Sequence, residues 1–496
     1  MRVRGPLADS YPAAVALVVC ALIPFLCLTA AVFELIPQIE ASLHLSPSVL
    51  NVTIALSDAG YAVGTVLAVQ FATHFPQRRM LLGYVSLFVV SAFLAAWAPD
   101  RGVFIGAFIT EGLCTSLLLI GAVPPLVTGW PVPKLPWTGA VMNLCIFGAV
   151  AIGPTIGGVV AASGDWHSLL WGVFGVAVLA LVFAVLTFED APPQDTTAPF
   201  DVVAVSLAVL GCGAAFYGAG DLEAATSARV QSLAPLVIGA GLIVALVAYE
   251  YRIRRPLMPV RQLVTVFPVV GIITALSASA ASFGLMELSL TALDKTTSST
   301  HVAIEFLPEF GAAVIMAALF GVLFRTRFTP VLALGGLVVI CAAAAVVAEV
   351  PTGGPALAAV GSALIGLGVG ASVSPALFIA GFSLRSSQIQ RVFALIELMR
   401  AVTAFLVAPV LVFIASSIGP TAADGIAWTS YLCLAIAGIG GLAALAVFRF
   451  GGGHLQTPDL EAWQKEEPAW DSPPLFGPAP EGADAPSPSR ERREVA

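Results

Sequence analysis

The sequence predicts an all-α membrane protein of fourteen spans. Two observations carry this: fourteen mostly apolar runs between Ala13 and Phe450, and a composition of 58% hydrophobic against 10% charged residues, with a mean hydropathy of +0.95. A run of about twenty such residues crosses a ~30 Å hydrocarbon core as one helix. A soluble domain of this composition would have apolar surface it could not hide from water.

The spans fall near 13–36, 49–72, 80–98, 103–127, 138–162, 169–187, 202–219, 233–251, 267–290, 304–324, 329–348, 355–380, 392–416 and 426–448. With the N-terminus in the cytoplasm, fourteen Lys and Arg residues lie on the inner side, Arg78 and Arg79 among them, and only Arg101, Arg229 and Lys295 lie outside. This bias supports the even span count, because one missed helix would scramble every later loop. Both termini are then cytoplasmic, with the plasma membrane as the expected location. The first run is too long for a signal-peptide core and no small-residue cleavage site follows it, so it is expected to remain as span 1. All seven cysteines lie inside spans and read as packing residues. The five histidines form no metal-ligand spacing. Three lysines against nineteen arginines, with much Ala, Val and Gly, suggest a GC-rich bacterial coding sequence.

Two short echoes suggest duplicated halves. Thr73, His74 and Phe75 lead to Gly83, and Thr326, Arg327 and Phe328 lead to Gly336 at the same spacing, each across a basic turn. Spans 7 and 8, joined by a loop around Asp221 and Glu223, lie between the halves. The expected organisation is a six-helix bundle over 1–190, an inserted pair over 191–262, a second six-helix bundle over 263–450, and a disordered cytoplasmic tail over 451–496, where Pro, Glu, Asp, Ser and Gly crowd together. The tail ends in Arg490, Glu491, Arg492, Arg493 and Glu494, a cluster too short for anionic-lipid binding and read as solvated.

Span 5 contains Gly153, Pro154, Thr155, Ile156, Gly157 and Gly158. Gly153 and Gly157 form a flat strip where another helix can approach closely, and Pro154 removes a backbone hydrogen bond, leaving a point where the helix can bend. Pro199, Phe200 and Asp201 open span 7; Tyr249, Glu250 and Tyr251 run into Arg254, Arg255, Pro256 and Leu257 after span 8; Leu307 and Pro308 open span 10. In these four stretches the chain resembles the major facilitator superfamily, in its fourteen-span drug:proton antiporter branch. The span 5 motif is similar to that branch's G-x-x-x-G-P-x-x-G-G, with Ala149 in place of the leading glycine. The resemblance implies a 6+2+6 major facilitator fold, alternating access, a small-molecule substrate, coupling to protons and a monomer as the family default.

The family pattern breaks in three places. The loop between spans 2 and 3 keeps Arg78 and Arg79, but Thr73 stands where the family has a gating aspartate, so the two arginines are read chiefly as topology determinants. In span 4 the family's R-x-x-Q-G becomes Phe108, Ile109, Thr110, Glu111 and Gly112, which removes the intramembrane arginine. Span 1 has Cys27 or Leu28 in place of an early aspartate, with Glu34 further along. Either coupling is rebuilt around other carboxylates or it is lost.

An ionised acid in hydrocarbon costs at least ~2.5–3.5 kcal/mol, so buried carboxylates mark candidate sites. Asp58 and Glu111 lie deepest, roughly 13 Å below the outer surface at 1.5 Å per residue. They are the leading candidates for a group that binds either a proton or a cationic substrate; a permanently protonated acid bonded to a neighbouring helix is the alternative. Glu34, Glu287 and Glu309 are further candidates for proton or substrate contact; they lie nearer the outer interface, where headgroup contact is a sufficient alternative explanation. Glu397 and Arg400, three residues apart in span 13, are expected to pair structurally; the alternative is a part in proton coupling, with Arg400 biasing a nearby carboxylate in place of the missing span 4 arginine. Asn143, Phe33, Tyr61, Phe108, Phe147 and Phe283 are candidates to line a central cavity.

No nucleophile elbow, metal cluster or phosphate-cradling loop appears, so neither an enzyme nor a cofactor is expected, and nucleic acid is not an expected partner. The expected function is proton-coupled export of amphiphilic small molecules. The alternatives are export of one endogenous metabolite or lipid, and a transport-inactive membrane sensor on the same fold.

Overall fold

The computed structural model describes residues 4–187, 189, 193, 199–225, 227–294 and 297–475. Fourteen helices among them are long and apolar enough to span a membrane: Tyr11–Leu43, Pro47–His74, Gln77–Trp97, Arg101–Thr128, Val132–Ser163, His167–Thr187, Val202–Glu223, Val230–Arg252, Val266–Leu293, Ser299–Leu323, Thr329–Ala348, Pro355–Phe382, Ser386–Ser417 and Ala422–Phe450, numbered here as spans 1 to 14. They match the expected runs in order and exceed most of them in length, because the helices continue through polar residues beyond the apolar windows. Side-chain caps fix several starts. Asp100 accepts from the backbone N–H of Gly102 and Val103 at 2.8 and 3.0 Å, and Asp201 accepts from Ala204 at 2.9 Å.

Packing reveals a duplication more clearly than the short sequence echoes. In the first half span 4 packs on spans 1, 2 and 3, span 6 on spans 1 and 3, and span 5 on span 1. Each pairing recurs eight spans later: span 12 packs on 9, 10 and 11, span 14 on 9 and 11, and span 13 on 9. The fifth helix of each half carries a single π-helical turn, Leu144–Gly148 in span 5 and Val402–Leu406 in span 13. Such turns widen the helix and often mark functional positions. The halves meet chiefly along span 5 with span 10 and span 2 with span 13, with smaller contacts of span 4 on span 13 and span 5 on span 12.

Spans 7 and 8 pack on each other, and span 7 docks on span 2 and on the outer part of span 13. Both ends of span 7 are fastened to span 2. At one end the Asp201 N–H donates to Gln70 Oε1 at 3.2 Å; at the other Ser48 Oγ donates to Asp221 Oδ1 at 2.9 Å, while Ser232 Oγ of span 8 donates to Asp221 Oδ2 at 2.6 Å. Gly220 permits this approach: a Cβ there would lie 2.8 Å from both Ala55 Cβ and Asn51 O.

We call the face that carries residue 4 and residues 451–475 the inner face. The expectation of a disordered tail fails for 451–475. A short helix, Leu460–Gln464, buries Trp463 completely (0% exposed) beside Phe382, with the indole N–H donating to Leu384 O at 2.9 Å. Trp470 stacks on Phe267 with ring centroids 5.9 Å apart. Two large aromatic anchors give a polar, proline-rich segment enough apolar area to dock, which a composition average conceals. Gln464 Nε2 also donates to Trp130 O at 2.8 Å, so the segment touches both halves. Lys295, residues 476–496 with Arg490 to Glu494, and most of 190–198 lie outside the described residues.

Burial raises the pKa of Glu466, but hydrogen bonds from Ser387 and Ser386 and the charge of Arg385 outweigh it and hold the carboxyl below its ordinary value. The ionised form thus favours the docked tail, and this contribution is lost as pH falls through the folded-state value. Replacing Trp463 with Ala removes a buried anchor worth about 3–5 kcal/mol to the docked segment. The expected result is rapid proteolytic nicking within 451–475 with the spans intact, read by limited proteolysis and mass spectrometry.

Candidate functional site

Along the seam between the halves the structure holds a series of voids, ordered by the residues of span 13 that line them. The outermost, about 20 Å³, is lined by Thr29, Phe33, Asn51, Asp58, Glu223, Glu287, Phe283 and Phe405, among others. The next, again about 20 Å³, lies between Glu309 and Arg400 and shares Phe283 with the first. A third of about 20 Å³ reaches Glu397 from the inner side. Each has room for roughly one water. Beyond them a cleft of about 680 Å³ opens at the inner face between spans 1 and 4 and the start of span 13, with Gln390, Ile389 and Glu466 on its wall.

Asp58 and Glu287 are 8% and 6% exposed, and Asp58 Oδ1 and Glu287 Oε2 have no hydrogen-bond partner among the described residues. Glu309 is likewise buried with Oε2 unpartnered. Interfacial contact therefore does not account for Glu287 or Glu309: both point into the protein, since spans 9 and 10 turn these faces towards the seam. An unsatisfied buried carboxylate carries a large desolvation cost, so each of these groups calls for a proton, a water or a cation.

Glu111 is fully buried (0% exposed), with both carboxylate oxygens unpartnered among the described residues, but it lines none of the voids above. It sits where spans 2 and 4 press together: Gly112 leaves no room for a Cβ against the Ser57 carbonyl, and Ser57 Oγ donates to Phe108 O at 2.8 Å. The structure thus separates Glu111 from Asp58, the residue paired with it by depth, and joins Asp58 to Glu287 and Glu223. Phe108 belongs to an aromatic cluster, its ring 5.5 Å from Phe104. Glu34 occupies the 3₁₀ turn Val32–Leu35 near the outer end of span 1, half-buried and outside the voids described.

Glu397 and Arg400 pair at 2.8 Å and are both buried. Two residues of the other half close around them. Tyr61 OH donates to Glu397 Oε2 at 3.3 Å and lies 3.3 Å from Arg400 Nη2, and the guanidinium stands 5.8 to 5.9 Å from the ring centres of Phe147, Phe405 and Tyr61. Further bonds cross the seam: Asn143 Nδ2 to Gly370 O at 2.9 Å, Gln390 Nε2 to Ile120 O at 3.1 Å and Thr155 Oγ1 to Ala303 O at 2.9 Å.

The glycines of span 5 face two different neighbours. A Cβ on Gly153 would lie 2.6 Å from Ala30 Cβ and 2.7 Å from Cys27 O, and one on Gly157 would strike Ala31 O, both on span 1. One on Gly158 would lie 2.5 Å from Ser299 O on span 10, in the opposite half. Pro154 sits inside the helix, buried, six residues past Gly148 at the end of the π-helical turn. Arg78 and Arg79 lie at the inner face; Arg78 Nη2 donates to Val185 O at 3.4 Å and Arg79 is exposed.

Glu223 is the site residue that sequence reading left in a loop. Span 7 continues four residues past its apolar window and carries it to the outermost void. The run Gly218, Ala219, Gly220 ahead of it was the available signal, since small residues allow the close approach to span 2.

Comparison with known proteins agrees with this architecture. Residues 17–409 match the model of the Major Facilitator Superfamily. Similar proteins include the lincomycin resistance protein LmrB of Bacillus subtilis (strain 168), 29% identical over 35% of this chain and 36% of its own length. The multidrug resistance protein Stp of Mycobacterium tuberculosis (strain CDC 1551 / Oshkosh) is 25% identical over 70% of this chain and 65% of its own. The match thus spans about a third of the first relative and just under two thirds of the second. The crystal structure of the human organic anion transporter MFSD10 (TETRAN) superposes with a TM-score of 0.61 at 13% identity, covering 87% of this chain and 99% of that one, a likeness of fold. With fourteen spans, two packing-equivalent halves and a family match over most of its length, the chain belongs to the Major Facilitator Superfamily.

Proposed function

We propose that the protein is a proton-coupled exporter of amphiphilic small molecules, a monomer in the plasma membrane with both termini in the cytoplasm, working by alternating access. The observation that carries this reading is the set of unpartnered carboxylates on the seam, Asp58, Glu287 and Glu309, each beside a void. A group that must lose its charge or gain a cation to stay buried can bind a proton or a positively charged cargo, and each expels the other. The apolar walls around these acids suit a cargo held mostly by hydrophobic contact. The inner cleft, with only water-sized voids beyond it, fits a conformation accessible from the cytoplasmic side. The names of the relatives, lincomycin and multidrug resistance proteins, support a drug-like cargo.

The test is transport of a panel of lipophilic cations in proteoliposomes under an imposed pH gradient. Asp58→Asn and Glu287→Gln are each expected to reduce gradient-driven flux by on the order of tenfold or more, the scale of a typical coupling free energy. Flux that ignores the gradient in the unmodified protein would remove proton coupling from the proposal.

A further inference from the structure

The inserted pair brings a third carboxylate to the outermost void. Glu223, at the end of span 7, is half-buried, whereas Asp58 and Glu287 on the same void are more than nine-tenths buried, each with one oxygen unpartnered. The three come from different parts of the chain: the first half, the inserted pair and the second half. The void they share, about 20 Å³, holds roughly one water, enough to bridge carboxyl groups that do not touch.

The position of Glu223 is built. Two residues before it, Asp221 is clamped by Ser48 of span 2 and Ser232 of span 8, and Gly220 lies against span 2 at Ala55 and Asn51. The charged surroundings are sparse. Span 2 contributes Asp58, span 9 Glu287, and span 7 Asp221, whose two oxygens are both taken; Glu34 follows Phe33 on span 1. Span 8 has Arg229 at its exposed head, and on span 13 the nearest ionisable groups, Arg400 and Glu397, lie further inward and are paired with each other. Among the described residues no basic side chain lines the void. Three carboxylates around one small void cannot all stay charged, so the site must carry protons or an exchanged cation.

We propose that Glu223 is the proton entry of the transporter: it takes a proton from outer water and, through the single water of the void, passes it to Asp58 or Glu287. Each transfer breaks one O–H bond on the donor carboxyl and forms one on the acceptor, and Glu223 returns to the ionised form ready for the next proton. The two inserted helices thereby act in the coupling path as well as in packing. This inference rests on the proposed proton coupling and deepens it.

A test that needs no cargo is a stopped-flow pH jump on the purified, detergent-solubilised protein, with the dye pyranine reporting proton uptake. The unmodified protein should show an uptake phase that the double variant Asp58→Asn, Glu287→Gln lacks. Glu223→Gln should keep that phase in amplitude yet slow it on the order of tenfold. Glu223→Asp should retain most of the rate, and millimolar formate, a small diffusible acid, should restore the rate of Glu223→Gln, which a purely structural defect would not allow. An unaltered rate in Glu223→Gln, slowing that formate does not relieve, or the absence of any phase dependent on Asp58 and Glu287 would overturn the entry role. The proposed coupling fails separately, if gradient-driven flux in proteoliposomes is the same with and without the gradient.

Discussion

Replacing Arg400 with methionine is expected to destabilise the protein by about 3–5 kcal/mol, because it leaves Glu397 buried with no counter-charge. Glu397 is held by the guanidinium at 2.8 Å and by Tyr61 OH at 3.3 Å, and a hydroxyl alone does not compensate a buried carboxylate. The second variant decides the cause. Arg400→Met combined with Glu397→Gln leaves no charge behind, so most of the stability should return even though both ionic partners are gone. Thermal midpoints from size-exclusion profiles of heated, detergent-solubilised protein read both effects. Equal midpoints for the single variant and the unmodified protein would show that the pair carries no net structural weight. Because Tyr61 and Phe147 belong to one half and the ion pair to the other, the single variant should also loosen the seam and impair transport beyond its effect on folding.

Gly157→Val should be nearly as damaging, for a steric reason. The added side chain would meet the Ala31 carbonyl and backbone of span 1, which cannot swing aside as a flexible side chain can. Overpacking alone costs about 1–3 kcal/mol. Forcing span 1 from span 5 would also shift Thr29 and Phe33, which span 1 carries to the outermost void, relative to Asp58 and Glu287. The control is Gly175→Ala on span 6, where nothing lies within 4 Å of the new Cβ and the helix should gain slightly from the better helix former. Transport rate and thermal midpoint, measured together, should fall for Gly157→Val and stay level for Gly175→Ala. A functional Gly157→Val protein would show that spans 1 and 5 have slack.

The span pattern was legible because membrane helices announce themselves by length and hydropathy, and the bias of Arg and Lys fixed their alternation. The close-packing role of Gly153 and Gly157 was legible too, since small residues four apart state their purpose on any helix. The grouping of the acids was not. Depth along a helix can be counted from sequence, but which way a carboxylate faces depends on helix rotation, so Asp58 and Glu111 looked alike although one meets a void and the other lies between spans 2 and 4. Glu223 escaped notice because a helix end is judged by where apolar residues stop, while span 7 is held to its full length by Asp221 and Gly220. The fold of 451–475 was hidden for a related reason: two tryptophans decide its docking, and their weight vanishes in a tally of prolines and acids.

Span 7 is fastened to span 2 near both membrane surfaces and leans on the outer part of span 13. If the halves tilt against one another, the inserted helices must ride with the first half while the second slips past them. One flank of the molecule is therefore shuttered along its outer portion. A molecule dissolved among the acyl chains of the outer leaflet would find its sideways route to the interior at the opposite flank, between spans 5 and 10.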